Sequence, residues 1–339
     1  MVFYWRVVME IKVSVKSGSY PIILEHGALK KARDLIGSRN IYIVTDDGVP
    51  AVHLDCLRNQ YPEAPVFVFP QGEASKNLDI YREVLADMLD KGVSRKDVLV
   101  ALGGGVVGDL AGFAAASYMR GIEFINIPTT LLSQIDSSIG GKTAVDLNGI
   151  KNCVGAFWQP SLVIIDPDVL QTLPARQLSN GLAEAVKTGL IGDERLFEIF
   201  EQDDWLQHLD EIIERCLRYK KMIVEQDERE TGPRKLLNFG HTYGHGYEGS
   251  SEGRYLHGEC VAMGMMTVLN DEEIKKRLEK VLIRLKLPVR GEFDKDKVRE
   301  LISHDKKGDH GTTTIVQVDE IGQGHLETWS REEIERRLA

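Results

Sequence analysis

Between residues 11 and 170, short β-favouring runs alternate with amphipathic stretches, and no other feature limits the fold of this chain so strongly. Residues 41–44 read as a strand ending at Thr45-Asp46, and residues 66–69 as another, stopped by Pro70. Residues 78–89 carry apolar side chains at spacings of three and four, which is helical. Residues 98–102 form a strand running straight into glycine, residues 124–127 precede Pro128, and residues 162–165 close the series before Asp166-Pro167. Such alternation predicts a mostly parallel sheet covered on both faces.

After Pro174 the texture changes. Residues 178–191, 196–200, 209–224, 236–247, 260–269, 272–285 and 298–302 fit helical spacing, although Asn180-Gly181 interrupts the first. A β-like run, 312–318, and a charged terminal helix finish the chain. The expected fold class is therefore an α/β N-terminal domain with a Rossmann-like, mostly parallel sheet (1–173), then a mainly α-helical C-terminal domain (174–339).

A length of 339 residues suffices for two domains and a well-buried core. The formal net charge of -10 argues against a non-specific nucleic-acid binder. Cys56, Cys153, Cys216 and Cys260 form no CxxC pair and read as reduced thiols, as expected in the cytoplasm. No long apolar run predicts a membrane span or a signal peptide. Residues 1–8 read as an upstream extension of the core fold.

Residues 99–109 read as strand, glycine turn and helix start, with Gly103, Gly105 and Gly108 in a G-x-G-x-x-G pattern. Glycine lets the backbone approach a pyrophosphate, and the helix N-terminus offers free N–H groups. The acidic partner expected about twenty residues on would be Glu123, but it stands at the start of the next strand. Pro128-Thr129-Thr130 and Gly72-Glu73-Ala74-Ser75-Lys76 lie after strands, where α/β sheets bind ligands; Ser75 or Thr129 would serve equally as a helix cap. Residues 134–146 are rich in polar groups and poor in regular pattern. Arg120, Lys142 and Lys151 could together hold a phosphate or carboxylate. Asp136, set between apolar residues, calls for a partner; the alternative is a solvated loop.

Glu184 and Lys187 share a helical face as either a surface pair or a buried functional one. Residues 234–259 hold His241, His245 and His257, three of nine histidines, beside Arg234 and Asn238. Grouped imidazoles are the usual ligands of a divalent transition metal, and a catalytic zinc needs three protein ligands. Spacing alone would pair His241 with His245, with the thiol of Cys260 as a further option near His257. A polar helix with solvated histidines is the plainer reading.

The stretches GGGVVGDLAGFAAASYMRG, PTTLLSQIDSSIGGKTAVD, KNCVGAFWQP, NGLAEAVKTG, DERE, LLNFGHTYGH and LHGE, in that order, make the chain similar to the 3-dehydroquinate synthases of the sugar phosphate cyclase superfamily. The resemblance implies an NAD-binding α/β half, a helical metal-binding half, NAD+ with Zn2+ (or Co2+), and a cytoplasmic homodimer. It implies conversion of a heptulosonate phosphate to 3-dehydroquinate and phosphate, through transient oxidation, phosphate β-elimination, reduction, ring opening and aldol closure. Its metal ligands match Glu184, His241 and His257, which moves His245 into the substrate pocket.

By the same matching, Arg120, Asp136, Lys142 and Asn152 line the substrate site, with Arg120 reaching across a dimer. Lys187, Lys220, Arg234, Asn238 and His245 match further substrate contacts, and Lys306 rather than Lys307 matches the last. Nucleotide contacts match Asp46, Glu73 and Lys76, then Gly105, Val106, Val107, Gly108 and Asp109, then Thr129, Thr130, Lys142, Lys151 and Thr172. Gly48 replaces a polar residue of some members, and the stretch after Gly264 is shorter than usual. The competing readings are a cyclase for another sugar phosphate, an NAD-dependent polyol dehydrogenase of the related metal-dependent fold, and a non-catalytic relative.

Overall fold

The computed structural model describes residues 9–304 and 312–338, with side chains omitted at 303 and 304. Residues 1–8 and Lys306 therefore lie outside the described residues. The chain divides into two compact units at Pro174/Ala175.

The first unit opens with an antiparallel hairpin, β1 (Met9–Val15) and β2 (Gly18–Leu24). There follow α1 (Ala32–Ile36), β3 (Ile41–Asp46), α2 (Ala51–Arg58), β4 (Val66–Phe69), α3 (Leu78–Asp90), β5 (Val98–Gly103), α4 (Gly105–Ser117) and β6 (Glu123–Pro128). A second hairpin, β7 (Lys142–Leu147) and β8 (Ile150–Phe157), precedes β9 (Leu162–Ile165). The seven-stranded sheet runs β1-β2-β9-β6-β5-β3-β4, with every pairing parallel except β1 with β2.

Successive side chains of a strand point to opposite faces, so β3 and β5 feed two cores. Tyr42, Val44, Leu99 and Ala101 pack into one. Ile41, Ile43, Val98, Val100 and Leu102 pack into the other. From β3 the chain proceeds to β4 on one side, whereas from β5 it proceeds to β6 on the other. The crevice beyond the carboxyl ends of β3 and β5 is therefore the topological switch point, where open α/β sheets bind ligands.

Two details of this unit differ from expectation. The irregular polar stretch is a π-turn, Ser133–Ser137, followed by the β7–β8 hairpin rather than a solvated loop. It escapes a periodicity search because its strands are held by contact with α4: a Cβ on Gly112 would lie 2.5 Å from Thr143 Cγ2. Glu123 is no ribose partner. It sits at the amino end of β6, paired with Arg39 Nη1 at 2.6 Å, away from the carboxyl-end loops.

The second unit comprises α5 (Ala175–Gly192), α6 (Glu194–Phe200), α7 (Leu209–Gln226), α8 (His241–Ser250), α9 (His257–Val268), α10 (Glu272–Arg284) and α11 (Lys295–His304), then a hairpin of β10 (Thr312–Glu320) and β11 (Gln323–Ser330), and α12 (Arg331–Arg336). Asn180-Gly181 does not interrupt α5, because Asn180 is spent on a tertiary contact: its Oδ1 accepts from Gly258 N at 2.6 Å. The helix expected at 236–247 is instead a 3-10 turn, Pro233–Asn238, broken from α8 at Gly240, which is left-handed (φ 76°). β11 was hidden because its sequence, QGHLETWS, has few β-formers; pairing with β10 makes it a strand.

Candidate metal centre and nucleotide cradle

Helices α8 and α9 approach unusually closely. A Cβ on Gly264 would lie 2.0 Å from the Gly240 carbonyl oxygen, so glycine is required there. At the start of α9, a Cβ on Gly258 would lie 2.0 Å from the Asn180 carbonyl oxygen, which seats His257 against α5. Arg176 strengthens that seat by a bidentate pair with Glu259, at 2.7 and 2.8 Å, and by a bond to the Arg254 carbonyl.

These contacts bring together Glu184 of α5, His241 at the start of α8 and His257 at the start of α9. Glu184 Oε1 lies 3.6 Å from His241 Nε2 and 3.4 Å from His257 Nε2. Each ring is anchored through its other nitrogen: His241 Nδ1 donates to the Phe239 carbonyl at 3.0 Å, and His257 Nδ1 meets Glu248 Oε2 at 3.0 Å. Both Nε2 atoms therefore turn toward the same carboxylate. Neither Glu184 oxygen accepts a hydrogen bond of good geometry, although both are buried. A buried carboxylate faced by two ring nitrogens is the donor set of a divalent transition metal, which would take the place of the Nε2 proton on His257.

Glu184 and Lys187 form a buried ion pair, each side chain 2% exposed. This resolves the two readings of that spacing in favour of burial. Burial alone would push the Glu184 carboxyl up, but Lys187 and the two imidazoles outweigh it and hold the group well below its usual range. Burial and the Lys187 ammonium push His241 well below the ordinary imidazole value. Burial also opposes charge on His257, yet Glu184 and Glu248 hold it up to about 10. His245 is exposed on α8, with its ring centroid 5.2 Å from His241 and 5.9 Å from His257. Cys260 is buried and lies in no grouping of metal-ligating side chains among the described residues.

Lys220 is buried on α7, and Arg234 is buried in the 3-10 turn. Arg234 Nη1 donates to the Glu228 carbonyl at 2.5 Å. Asn238 Nδ2 donates to Glu230 Oε1 at 2.8 Å. Asp227 organises the loop between them, accepting from Thr231 N, Gly232 N and Arg234 N.

In the first unit, Lys76 Nζ pairs with Asp109 Oδ2 at 2.5 Å and donates to Asn152 Oδ1. Burial disfavours its charge, but Asp109 and Glu73 overcome this and raise its pKa. Lys151 pairs with Glu73 at 3.4 Å. The glycine turn leads from β5 into α4, and Val106 and Val107 open that helix. Thr129 N donates to the Gly103 carbonyl at 2.9 Å, while Thr130 Oγ1 caps Ser133 N at 3.2 Å. Asp46 ends β3, its carboxylate accepting from Gly48 N and Val49 N. Thr172 Oγ1 meets His53 Nε2 at 2.7 Å. Arg120 is exposed in a turn where Met119 and Arg120 both have positive φ (49° and 68°), a costly conformation for these residues. Asp136 is half-buried in the π-turn, and Lys142 is exposed at the start of β7.

Sequence reasoning missed Glu248, Asp227, the Arg176–Glu259 clamp and His53. Asp227 and Glu259 stand inside the stretches DERE and LHGE, and Glu248 stands seven residues after His241 on the same helical face.

An open, mostly parallel sheet with a glycine turn at its switch point, followed by a helical unit, is the fold that the chain shares with solved sugar phosphate cyclases. The 2-epi-5-epi-valiolone synthase of Streptomyces hygroscopicus subsp. jinggangensis 5008, solved with NAD+ and Zn2+ bound, matches at TM-score 0.87 and 29% identity, covering 98% of both chains. A 2-deoxy-scyllo-inosose synthase complexed with carbaglucose-6-phosphate, NAD+ and Co2+ matches at TM-score 0.87 and 25% identity, covering 97% of this chain and 99% of its own. Within that class, the family model for the 3-dehydroquinate synthase N-terminal region matches residues 66–180, and that for the C-terminal region matches 181–308. The 3-dehydroquinate synthase of Clostridium kluyveri is 40% identical over 334 residues, covering 92% of this chain and 93% of its own length. The chain belongs to the 3-dehydroquinate synthase family.

Proposed function

We propose that this chain converts 3-deoxy-D-arabino-heptulosonate 7-phosphate to 3-dehydroquinate and phosphate, a carbon–oxygen lyase step of the shikimate pathway. The observation that carries the reading is the convergence of His241 Nε2 and His257 Nε2 on Glu184 Oε1, at 3.6 and 3.4 Å. When bound, NAD+ supplies a transient oxidation reversed within each turnover, and a zinc or cobalt ion supplies Lewis acidity toward the substrate oxygens.

In this reading the first unit binds the nucleotide and the second the metal. Glu184, His241 and His257 hold the ion. Asp46, Glu73, Lys76, Asp109, Thr129, Thr130, Lys151 and Thr172 hold the nucleotide, with the backbone of residues 105–108 at its phosphates. Arg120, Lys142 and Asn152 bind the substrate phosphate. Lys220, Arg234 and Asn238 receive the carboxylate, fixed cations being an efficient use of a preorganised site. Asp136 and Lys187 orient the sugar hydroxyls, His245 relays a proton, and Lys306 adds a last contact. The departing phosphate takes the proton from the carbon beside the transient ketone.

The carboxylate-binding set favours this substrate over those of other sugar phosphate cyclases. We further propose a cytoplasmic homodimer in which Arg120 serves the neighbouring subunit. An unpaired edge supports it: among the described residues β8 pairs only with β7, and Ile150 on it is 64% exposed. None of the four cysteines is in a disulfide, which suits a reducing compartment. No described helix is long and apolar enough to cross a membrane.

The test is an assay of purified protein with zinc, NAD+ and the heptulosonate phosphate. Phosphate should appear without net NADH. Steady NADH accumulation would instead identify a dehydrogenase, and turnover of a hexose phosphate alone would identify a different cyclase.

A further inference from the structure

His257 is held at both nitrogens by carboxylates from different helices. Its Nε2 lies 3.4 Å from Glu184 Oε1 of α5, and its Nδ1 lies 3.0 Å from Glu248 Oε2 of α8. The two carboxylates are not equivalent. Glu184 is fully buried, and its oxygens accept no hydrogen bond of good geometry. Glu248 is 14% exposed and already engages a ring nitrogen at hydrogen-bond distance.

We propose that Glu248 is a positioning residue for the metal centre: it accepts a hydrogen bond from His257 Nδ1, so that the proton given up when an ion binds is the one on Nε2, and it sets the plane of the ring. An ionised carboxylate can only accept, so Nδ1, 3.0 Å from Glu248, carries a hydrogen, and Nε2, at the longer 3.4 Å from Glu184, is the position an ion would take. His241 reaches the same state by a different partner, the Phe239 carbonyl at 3.0 Å. A carbonyl needs only the backbone break at Gly240 to be in place. His257 opens its own helix, with no comparable carbonyl engaged, and takes a side chain from α8 instead. The carboxylate also makes His257 the more basic of the two ring ligands.

Helix α8 thereby contributes twice. His241, His245 and Glu248 fall at helical spacings of four and three, so one face carries a ligand and the support of the other histidine. The rival role for Glu248 is direct ligation, because His245, Glu248 and His257 also form a grouping that could hold an ion. The hydrogen bond to His257 Nδ1 favours the supporting role, since a carboxylate oxygen engaged there has a proton to hold.

This inference rests on the metal reading of Glu184, His241 and His257, and the experiment separates the two. Metal-free full-length protein and its Glu248→Gln and Glu248→Ala variants would be titrated with Zn2+ and Co2+ against a competing chelator. Co2+ absorption spectra and apo-protein melting would be recorded alongside. If the wild type binds neither ion, the metal reading fails. If it binds, the supporting role predicts that Glu248→Ala weakens binding about 10- to 100-fold, and that Glu248→Gln, which keeps an acceptor oxygen, loses less. The Co2+ band positions and intensities should stay those of the wild type, because the ligands are unchanged. Unchanged affinity in Glu248→Ala overturns the proposal. So does a Co2+ spectrum reporting a lost ligand in a variant whose apo form melts normally.

Discussion

The Glu184–Lys187 pair offers a quantitative test of how this centre is built. Both side chains are 2% exposed, so neither can turn to water when its partner is removed. Breaking a buried ion pair by deleting one member costs about 3–5 kcal/mol, because the surviving charge is left uncompensated. Replacing both members by neutral groups of similar volume is nearly neutral, because the desolvation of both charges is relieved together. In excess chelator, Glu184→Gln should therefore destabilise the protein by about 3 kcal/mol or more. Lys187→Met should cost less, since His241 and His257 remain beside the carboxylate at 3.6 and 3.4 Å. The double variant should be more stable than Glu184→Gln alone, with a coupling energy of roughly 2–3 kcal/mol. Urea unfolding followed by circular dichroism, with hydrogen exchange of the α5 amides to localise the effect, would measure it. Additivity of the two single changes within about 0.5 kcal/mol would refute the reasoning.

Two further outcomes are expected. Gly258→Ala should abolish metal retention and lower stability by at least 1–3 kcal/mol, the usual cost of overpacking, because the added Cβ would lie 2.0 Å from the Asn180 carbonyl oxygen; full metal occupancy measured by mass spectrometry would contradict the seating of His257 described above. Mixing Arg120→Ala subunits with subunits inactive at Lys142 should recover part of the phosphate-release activity, since one site in such a pair is intact; verified mixed dimers with no recovery would show that Arg120 serves its own subunit.

Much of the fold was legible because it rests on local pattern. The strands at 41–46 and 98–103 and the helices at 78–90 and 209–226 carry their periodicity in the chain itself. Elements that depend on a partner were not legible. β11 becomes a strand only by pairing with β10, and β7–β8 only by lying on α4.

The histidines show the same division at the level of chemistry. Three imidazoles within residues 234–259 pointed to a metal, with solvated histidines as the alternative, and the strand–glycine–helix junction pointed to a phosphate site. Which three side chains meet was another matter. Spacing favoured His241 with His245, and only the resemblance put Glu184 and His257 beside His241; in the packed structure those three side chains meet, through glycines that let α5, α8 and α9 approach to backbone contact. Residue type determines what chemistry is available, and local periodicity determines the elements that carry it. Convergence depends on distances between elements, which only close packing in three dimensions decides.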